Sequence, residues 1–400
     1  MKKIVLISLI FMILSKGTLA FDETLIEDEE GLYVETIANV DVPNLNARAA
    51  ILYDVTYDRI LYEKNAKQRR ANASTTKMIT ALVAYEYGDL DDMVEVSRNA
   101  ATTGGSSINL KTGDKISLDS LIKGLLVHSG NDAAVAIAEY IAGDVESFSK
   151  LMNQKAQEIG AVDTHFVSPH GLDEDNHYST AYDLMLISKE MLKNTYLANI
   201  ISQKTLEITV NDNSKALNST NEMLSYYEGA NGVKTGYTGN AGRCLISSAK
   251  KNERQLISVV LGCDSKKNRT VDSIRLLDYG FNNYEIVNLA DFVKKDLYIV
   301  VDKSEGEIYR LSKDLNLMYP LKENEKEKVE VEYDLKTNLT APLFKGENVG
   351  TVKIKLDGGI INQIEYTLPQ NINRKSWQNY FNKVFTDSLK NIINFKLKPI

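Results

Sequence analysis

Ser74-Thr75-Thr76-Lys77 is an S-x-x-K tetrad that leads straight into the apolar residues Met78, Ile79, Ala81, Leu82, Val83 and Ala84. A serine at the start of a buried helix sits beside unpaired backbone N–H groups and the positive end of the helix dipole, which favour an alkoxide or an oxyanion. Three residues on, Lys77 lies on the same helix face and can reach the hydroxyl. A lysine drawn into an apolar helix loses hydration, so its pKa falls and the neutral amine can serve as a base. The plainer reading of Ser74 is a helix N-cap, a common role for serine. Spacing alone does not separate the two, because S-x-x-K recurs at Ser120/Lys123, Ser147/Lys150, Ser247/Lys250 and Ser248/Lys251. Two more polar sets could face the first. Ser129-Gly130-Asn131 falls at the break between two helical patterns, where Asn131 or Asp132 would also make a natural cap, and S-x-N recurs at Ser97, Ser107 and Ser219. Lys234-Thr235-Gly236 opens a strand pattern, and Gly236 lets a ligand come close to the strand backbone. Its copy Lys111-Thr112-Gly113 runs into Asp114 and polar residues, as a turn would.

The elements that must hold these residues follow from periodicity. Ala49 to Asp54 and Ile60 to Lys64 read as a hairpin, and Thr75 to Tyr87 as a helix buried on most sides. Helical periods follow over Leu118 to Val127, Asp132 to Ala142, Val145 to Ile159 and Thr180 to Leu192, after which strands return at Gly232 to Gly236, Arg243 to Ala249 and Gln255 to Cys263. A helix over Thr270 to Tyr279, capped by Gly280, packs back on the sheet. The fold class is therefore α/β, an antiparallel sheet with a helical insertion over residues 39–281. Residues 283–368 carry short Val-, Ile- and Tyr-rich runs at Leu297 to Val301, Val329 to Tyr333, Val349 to Leu356 and Ile361 to Leu368, and read as a small all-β domain.

The ends of the chain say where it works. Met1-Lys2-Lys3, the apolar run Ile4 to Leu14 and Thr18-Leu19-Ala20 form a signal-peptide pattern over residues 1–20; an uncleaved anchor is the alternative. Residues 21–38 read as an acidic spacer, with seven acids and no base between Asp22 and Glu35. In residues 374–400, six Lys or Arg stand against the single Asp387, and Trp377, Phe381, Val384, Phe385, Leu389, Ile392 and Phe395 share one helical face. A basic amphipathic helix of that kind suits an anionic membrane surface, the alternative being a helix docked on its own β domain or on a partner. The net charge of −7 is unlike that of a nucleic-acid binder. Two cysteines, Cys244 and Cys263, and four histidines without an H-x-x-x-H pair give no common metal site, so no metal and no cofactor is expected. The two cysteines fall on strands expected to be neighbours, and buried free thiols are favoured over a disulfide.

In the order Ser74, Ser129, Lys234 the three sets match S-x-x-K, S-x-N and K-T-G of penicillin-binding proteins and class A β-lactamases. The sequence resembles the low-molecular-weight penicillin-binding proteins that are serine-type D-alanyl-D-alanine carboxypeptidases (peptidase S11 type). Ala47 to Leu52, Leu61 to Ala66, Ala73 to Lys77, Pro169-His170-Gly171-Leu172, His177-Tyr178-Ser179-Thr180 and Gly232 to Thr238 carry the likeness, which spans about residues 39–368 and extends to the C-terminal helix. It implies a β-lactamase/transpeptidase-like fold and an enzyme that removes the terminal D-alanine from peptidoglycan stems and is acylated by β-lactams. It also implies roles. Ser74 is the nucleophile, Lys77 its base and Ser129 a proton relay. Asn131 holds the substrate amide, Lys234 and Thr235 bind the terminal carboxylate beside Gly236, and the N–H groups of Ser74 and Tyr237 hold the oxyanion. Arg269 is a weaker candidate for the carboxylate. The implied location is extracytoplasmic, on the outer face of the membrane. A Ser-His reading of His170 and His177 is disfavoured because the base is already supplied. A β-lactamase would need a glutamate such as Glu174 to activate water, but Gly171 to Asn176 matches the carboxypeptidase loop. A non-catalytic sensor would show a broken motif, and all three are intact.

Overall fold

The computed structural model describes residues 26–28, 31–33 and 42–396. The leader pattern of residues 1–20 lies outside them. Within the acidic segment, β1 (Ile26–Asp28) and β2 (Gly31–Tyr33) pair as a short antiparallel hairpin, Ile26 opposite Tyr33.

From residue 42 the chain builds the body that holds the motifs. The hairpin β3 (Ala49–Asp54) and β4 (Arg59–Lys64) leads to a 3-10 turn, Ala73–Thr76, and the buried helix α1 (Lys77–Tyr87). Next come β5 (Met93–Glu95), α2 (Arg98–Ala101), β6 (Lys115–Ser117), α3 (Leu118–Val127), α4 (Asn131–Ala142) and α5 (Val145–Ile159). Then follow α6 (Ala181–Lys193), α7 (Thr195–Ile201), β7 (Thr205–Val210), β8 (Asn213–Asn218) and α8 (Met223–Tyr226). The main sheet is completed by β9 (Ala230–Thr238), β10 (Gly242–Lys251) and β11 (Arg254–Cys263), in the antiparallel order β4-β3-β11-β10-β9. The earliest and latest strands of the domain thus lie side by side, Ile51 opposite Val259.

Strand alternation explains the layering. Ala49, Ile51 and Tyr53 point into the core shared with the helices, among them Met78, Leu125 and Ile187. On the other face lies α9 (Lys266–Asn282), capped by the Ser265 side chain. The expected stop at Gly280 is not there: the helix runs through it. A Cβ at Gly280 would come within 2.7 Å of Leu256 and 2.8 Å of Leu52, so the glycine permits close helix-to-sheet packing and is not a cap. The helical insertion also holds a second sheet, β5-β6-β7-β8, which the helical reading did not contain.

The remaining strands are β12 (Glu285–Asn288), β13 (Leu297–Asp302), β14 (Ile308–Leu311) and β15 (Met318–Leu321), a helical turn α10 (Glu323–Lys326), then β16 (Val329–Leu335), β17 (Leu339–Thr340), β18 (Asn348–Leu356) and β19 (Gly359–Thr367). They enclose their own apolar core, with Leu321, Val301, Val349 and Ile354 fully buried. Arg59 ties this unit to the sheet domain. Its guanidinium stacks 5.1 Å from the rings of both Tyr284 and Tyr319, donates to the Pro320 carbonyl and pairs with Glu325 at 2.7 Å. The last helix, α11 (Trp377–Lys396), leaves Trp377, Phe381, Val384, Phe385 and Leu389 exposed, with the rings of Trp377, Phe381 and Phe385 stacked in a ladder. Among the described residues, no helix is long and apolar enough to cross a membrane.

Candidate active site

Ser74 sits in the 3-10 turn ahead of α1, and its hydroxyl caps nothing. Asn72 holds the turn instead, its amide donating to Thr75 Oγ1 at 3.0 Å and Thr76 Oγ1 at 2.9 Å. Two glycines press on this turn from either side. A Cβ at Gly171, which has φ +80°, would lie 2.0 Å from the Ala73 carbonyl oxygen, and one at Gly236 would lie 3.1 Å from the Ser74 nitrogen. At Gly171 a side chain is excluded outright, and at Gly236 one would push the turn back by a few tenths of an ångström.

Lys77 is fully buried and its Nζ has three neighbours: Ser74 Oγ at 2.7 Å, Asn131 Oδ1 at 2.7 Å and the His170 carbonyl at 2.8 Å. None carries a charge. Burial, reinforced by repulsion from Lys234, holds this amine well below the ordinary lysine range, with Asp132 opposing weakly. In the neutral state two N–H bonds satisfy Asn131 and His170, and the remaining lone pair faces the Ser74 hydroxyl proton. The other S-x-x-K lysines differ. Lys123 pairs with Asp119 at 2.7 Å, Lys150 with Glu146 at 3.0 Å and Lys250 with Glu253 at 2.7 Å, so each is held by a carboxylate.

Ser129 lies between α3 and α4 in the left-handed region, φ 65°, a conformation costly for a non-glycine residue and one that turns its hydroxyl away from the helix path. Asn131 is the first residue of α4; its amide donates to the Gly104 carbonyl at 2.6 Å while its oxygen receives Lys77. Asp132 takes one N–H of its own helix, that of Ala133, but its carboxylate mainly receives Ser107 Oγ and the Ile108 and Leu110 N–H groups, pinning that loop.

The third motif arrives on β9. Lys234, 1% exposed, donates to Ser129 Oγ at 2.9 Å and to the Thr235 carbonyl at 3.1 Å. Its pKa is pushed down to about 7, by burial first and by the positive Arg269 second. Thr235 Oγ1 lies 2.7 Å from Thr220 Oγ1. Tyr237 is exposed at the rim with its ring 3.6 Å from the Arg243 guanidinium, its cross-strand partner. The three motifs, scattered from residue 74 to residue 236, meet at one end of the sheet. The copy at Gly113 is a turn with open space around it.

Several participants were invisible to motif reading. Thr220, the Gly104 and His170 carbonyls, and Asp173, which fixes the β9–β10 turn through Thr238 Oγ1 at 2.5 Å and the Asn240 N–H at 3.1 Å, carry no signature of their own. Arg269 is not available to a carboxylate: Glu222 engages it in two bonds of 3.0 and 2.9 Å, so it acts on the site only through its field on Lys234. His170 is half-buried and His177 buried, with pKa values lowered to about 3 and about 4, mainly by desolvation. His177 bonds Thr76 Oγ1 and the Val167 N–H, and His170 Nδ1 accepts from the Leu172 N–H, so both order backbone. Glu174 is exposed on the same loop and has no hydrogen bond to Ser74 or Lys77. Cys244 and Cys263 lie on adjacent strands as buried free thiols.

Comparison with known proteins agrees with this geometry. The family profile described as D-alanyl-D-alanine carboxypeptidase matches residues 36–265, and that of the C-terminal domain of penicillin-binding protein 5 matches residues 310–374. The chain is 34% identical over 351 residues to the D-alanyl-D-alanine carboxypeptidase DacF of Bacillus subtilis, covering 86% of this chain and 90% of that one. It is 36% identical over 359 residues to DacC of Escherichia coli, covering 83% and 86% respectively. Among solved structures it is similar to the carboxypeptidase DacD of Francisella tularensis, with a TM-score of 0.69 and 31% identity over 88% of this chain and 99% of that one. It is also similar to penicillin-binding protein 5 of Haemophilus influenzae, with a TM-score of 0.68 and 31% identity over 84% of this chain and all of the other. With the three motifs gathered around the Ser74 turn and both matched regions in the expected order, the chain belongs to the D-alanyl-D-alanine carboxypeptidase family.

Proposed function

We propose that Ser74 is the nucleophile with which this serine hydrolase removes the terminal D-alanine from peptidoglycan pentapeptide stems. The observation that carries the assignment is the buried Lys77 amine, with three uncharged neighbours and Ser74 Oγ at 2.7 Å. Neutral Lys77 takes the hydroxyl proton as Oγ bonds to the carbonyl carbon of the scissile amide. The N–H groups of Ser74 and Tyr237 receive the developing oxyanion. Ser129, bonded to Lys234, passes a proton to the departing amine nitrogen, the C–N bond breaks and D-alanine leaves. Water then hydrolyses the ester and regenerates Ser74. Lys234 and Thr235 hold the terminal carboxylate, and the second hydrogen of the Asn131 amide remains for the substrate backbone. A β-lactam acylates the same oxygen.

The test compares the wild type with Ser74→Ala, using a fluorescent penicillin and a pentapeptide ending in D-Ala-D-Ala. Labelling should vanish in the variant and D-alanine release should fall by about 10³-fold or more. Equal release from both proteins removes Ser74 from the mechanism; labelling of the wild type without any release would favour a sensor.

The domain plan accompanies this proposal: a leader over 1–20, a spacer over 21–38, the peptidase domain over 39–281, the β domain over 283–368 and an interfacial helix within 374–400. The exposed ladder Trp377, Phe381 and Phe385 on a basic segment supports attachment to an anionic membrane surface outside the cytoplasm. Partition onto anionic liposomes should drop at least several-fold when residues 374–400 are deleted, and unchanged partition refutes the attachment.

A further inference from the structure

A groove of about 530 Å³ opens where the turn between β3 and β4 faces β15 and the β18–β19 hairpin, lined among others by Tyr57, Asp58, Met318, Tyr319, Ile360 and Asn362. It is remote from the chemistry. Gly236 pairs with Cys244, which falls in the bulge between the Arg243–Cys263 and Leu245–Val260 pairs, and Leu261 pairs with Ala49, so the nucleophile lies at the Ala49 end of β3, whereas the groove lies beyond Asp54 at the other end. Six strand residues alone separate the two by about 17–20 Å.

We propose that this groove binds a neutral oligosaccharide, the glycan strand of the polymer whose stems the active site trims. The inference rests on the carboxypeptidase reading, since that reading makes the substrate a glycan polymer. The volume falls in the range of small-ligand sites, and a domain junction is where such sites concentrate. Two tyrosines supply flat faces with a hydroxyl at the edge, which match the C–H faces and hydroxyls of a sugar ring. The Asn362 amide can both donate and accept. Met318 and Ile360, 41% and 53% exposed, offer an apolar seat for the methyl of an N-acetyl group.

Charge narrows the ligand. Asp58, the acid in the lining, is neutralised by Lys189 at 2.5 Å and bonded by the Tyr53 hydroxyl, while Arg59 behind Tyr319 is neutralised by Glu325. Balanced walls give little to an anionic peptide end or a phosphate and suit an uncharged polyol. The walls are also fixed in advance, because Arg59 locks Tyr319 and Pro320 to the sheet domain, which lowers the ordering cost of binding. A five-residue stem, fully extended, spans at most about 18 Å. The glycan held here is therefore a tether: it keeps the enzyme on the polymer, so that stems on neighbouring stretches reach Ser74 at high effective concentration.

The test uses the full chain and two variants at the groove, Tyr57→Ala and Ile360→Asp. Binding of a stem-free β-1,4-linked N-acetylglucosamine oligomer is measured by NMR titration. D-alanine release is measured on a soluble pentapeptide and on insoluble wall polymer bearing the same stems. The expected result is that the oligomer binds the wild type, that both variants bind it about tenfold more weakly, and that they lose five- to tenfold of the rate on polymer with the soluble rate unchanged. No oligomer binding by the wild type, or variants that match it on polymer, overturns the groove. A wild type that binds the oligomer but never releases D-alanine from the soluble peptide overturns the carboxypeptidase reading instead, and the soluble rate of each variant reports that it has folded.

Discussion

In the proposed reaction Lys77 and Lys234 are two buried amines needed in opposite protonation states, Lys77 neutral to accept the Ser74 proton and Lys234 charged to hold a carboxylate. The value of kcat/KM should therefore rise with pH through the lowered Lys77 pKa and fall as Lys234 loses its proton above about 7 in the free enzyme. A bound carboxylate stabilises the Lys234 cation, so the descending limb should appear in kcat/KM and be weaker in kcat. Lys234→Gln removes the positive neighbour of Lys77. The Lys77 pKa then rises, the ascending limb moves to higher pH and KM increases; a pH profile on soluble pentapeptide checks all three, and an unmoved ascending limb would show that the two amines are not coupled. The same burial has a cost for the fold. Because the unfolded chain holds the Lys77 proton at pH values where the native chain has released it, stability at this site increases with pH from the lowered native value toward the ordinary 10.5. Motif reading found the two lysines and their serines because side-chain type and order along the chain carry that information. It could not find the Gly104 and His170 carbonyls that complete the environment, since every residue has a carbonyl and only the folded loops say which ones converge. Thr220 escaped for a related reason: the middle residue of the S-x-N copy at Ser219, it acquires its place only from the Thr235 hydroxyl it meets.

Helices and strands differ in how much of themselves they show. The helices over Leu118–Val127 and Val145–Ile159 run over the residues their patterns predict, the first buried on nearly all sides and the second along one stripe through Phe148, Met152 and Ala156. The sheet β5-β6-β7-β8 has no such signal: β5 and β6 are three residues each, and along Thr205–Val210 Ile208 alone is fully buried. Gly280 shows the same limit in one residue. A glycine after a helical period ordinarily marks its end, yet here its value lies in Leu52 on the distant β3 and Leu256 on β11, both on the sheet the helix packs against. Gly280→Val should therefore lower stability by about 1–3 kcal/mol through overpacking, read from urea unfolding, and leave kcat of the remaining folded protein unchanged. A neutral or stabilising effect would show that the close approach to Leu52 and Leu256 is not what Gly280 serves.

At the scale of the whole molecule, the two regions matched by separate family profiles are joined by more than a linker. Arg59 lies on β4, between the rings of Tyr284 and Tyr319, and pairs with Glu325 in a setting only 10% and 14% exposed. An ion pair this sheltered, with one partner removed, leaves a buried charge uncompensated at a cost of several kcal/mol. The consequence is thermodynamic linkage between two bodies that each have a core of their own. If one melts, the other loses its clasp, so the chain should unfold in a single calorimetric transition whose van't Hoff and calorimetric enthalpies agree. Arg59→Ala should divide that transition in two, with the β domain melting first and the penicillin-binding capacity surviving until the second; a wild type that already melts in two steps would show that the clasp joins the bodies in space and not in energy.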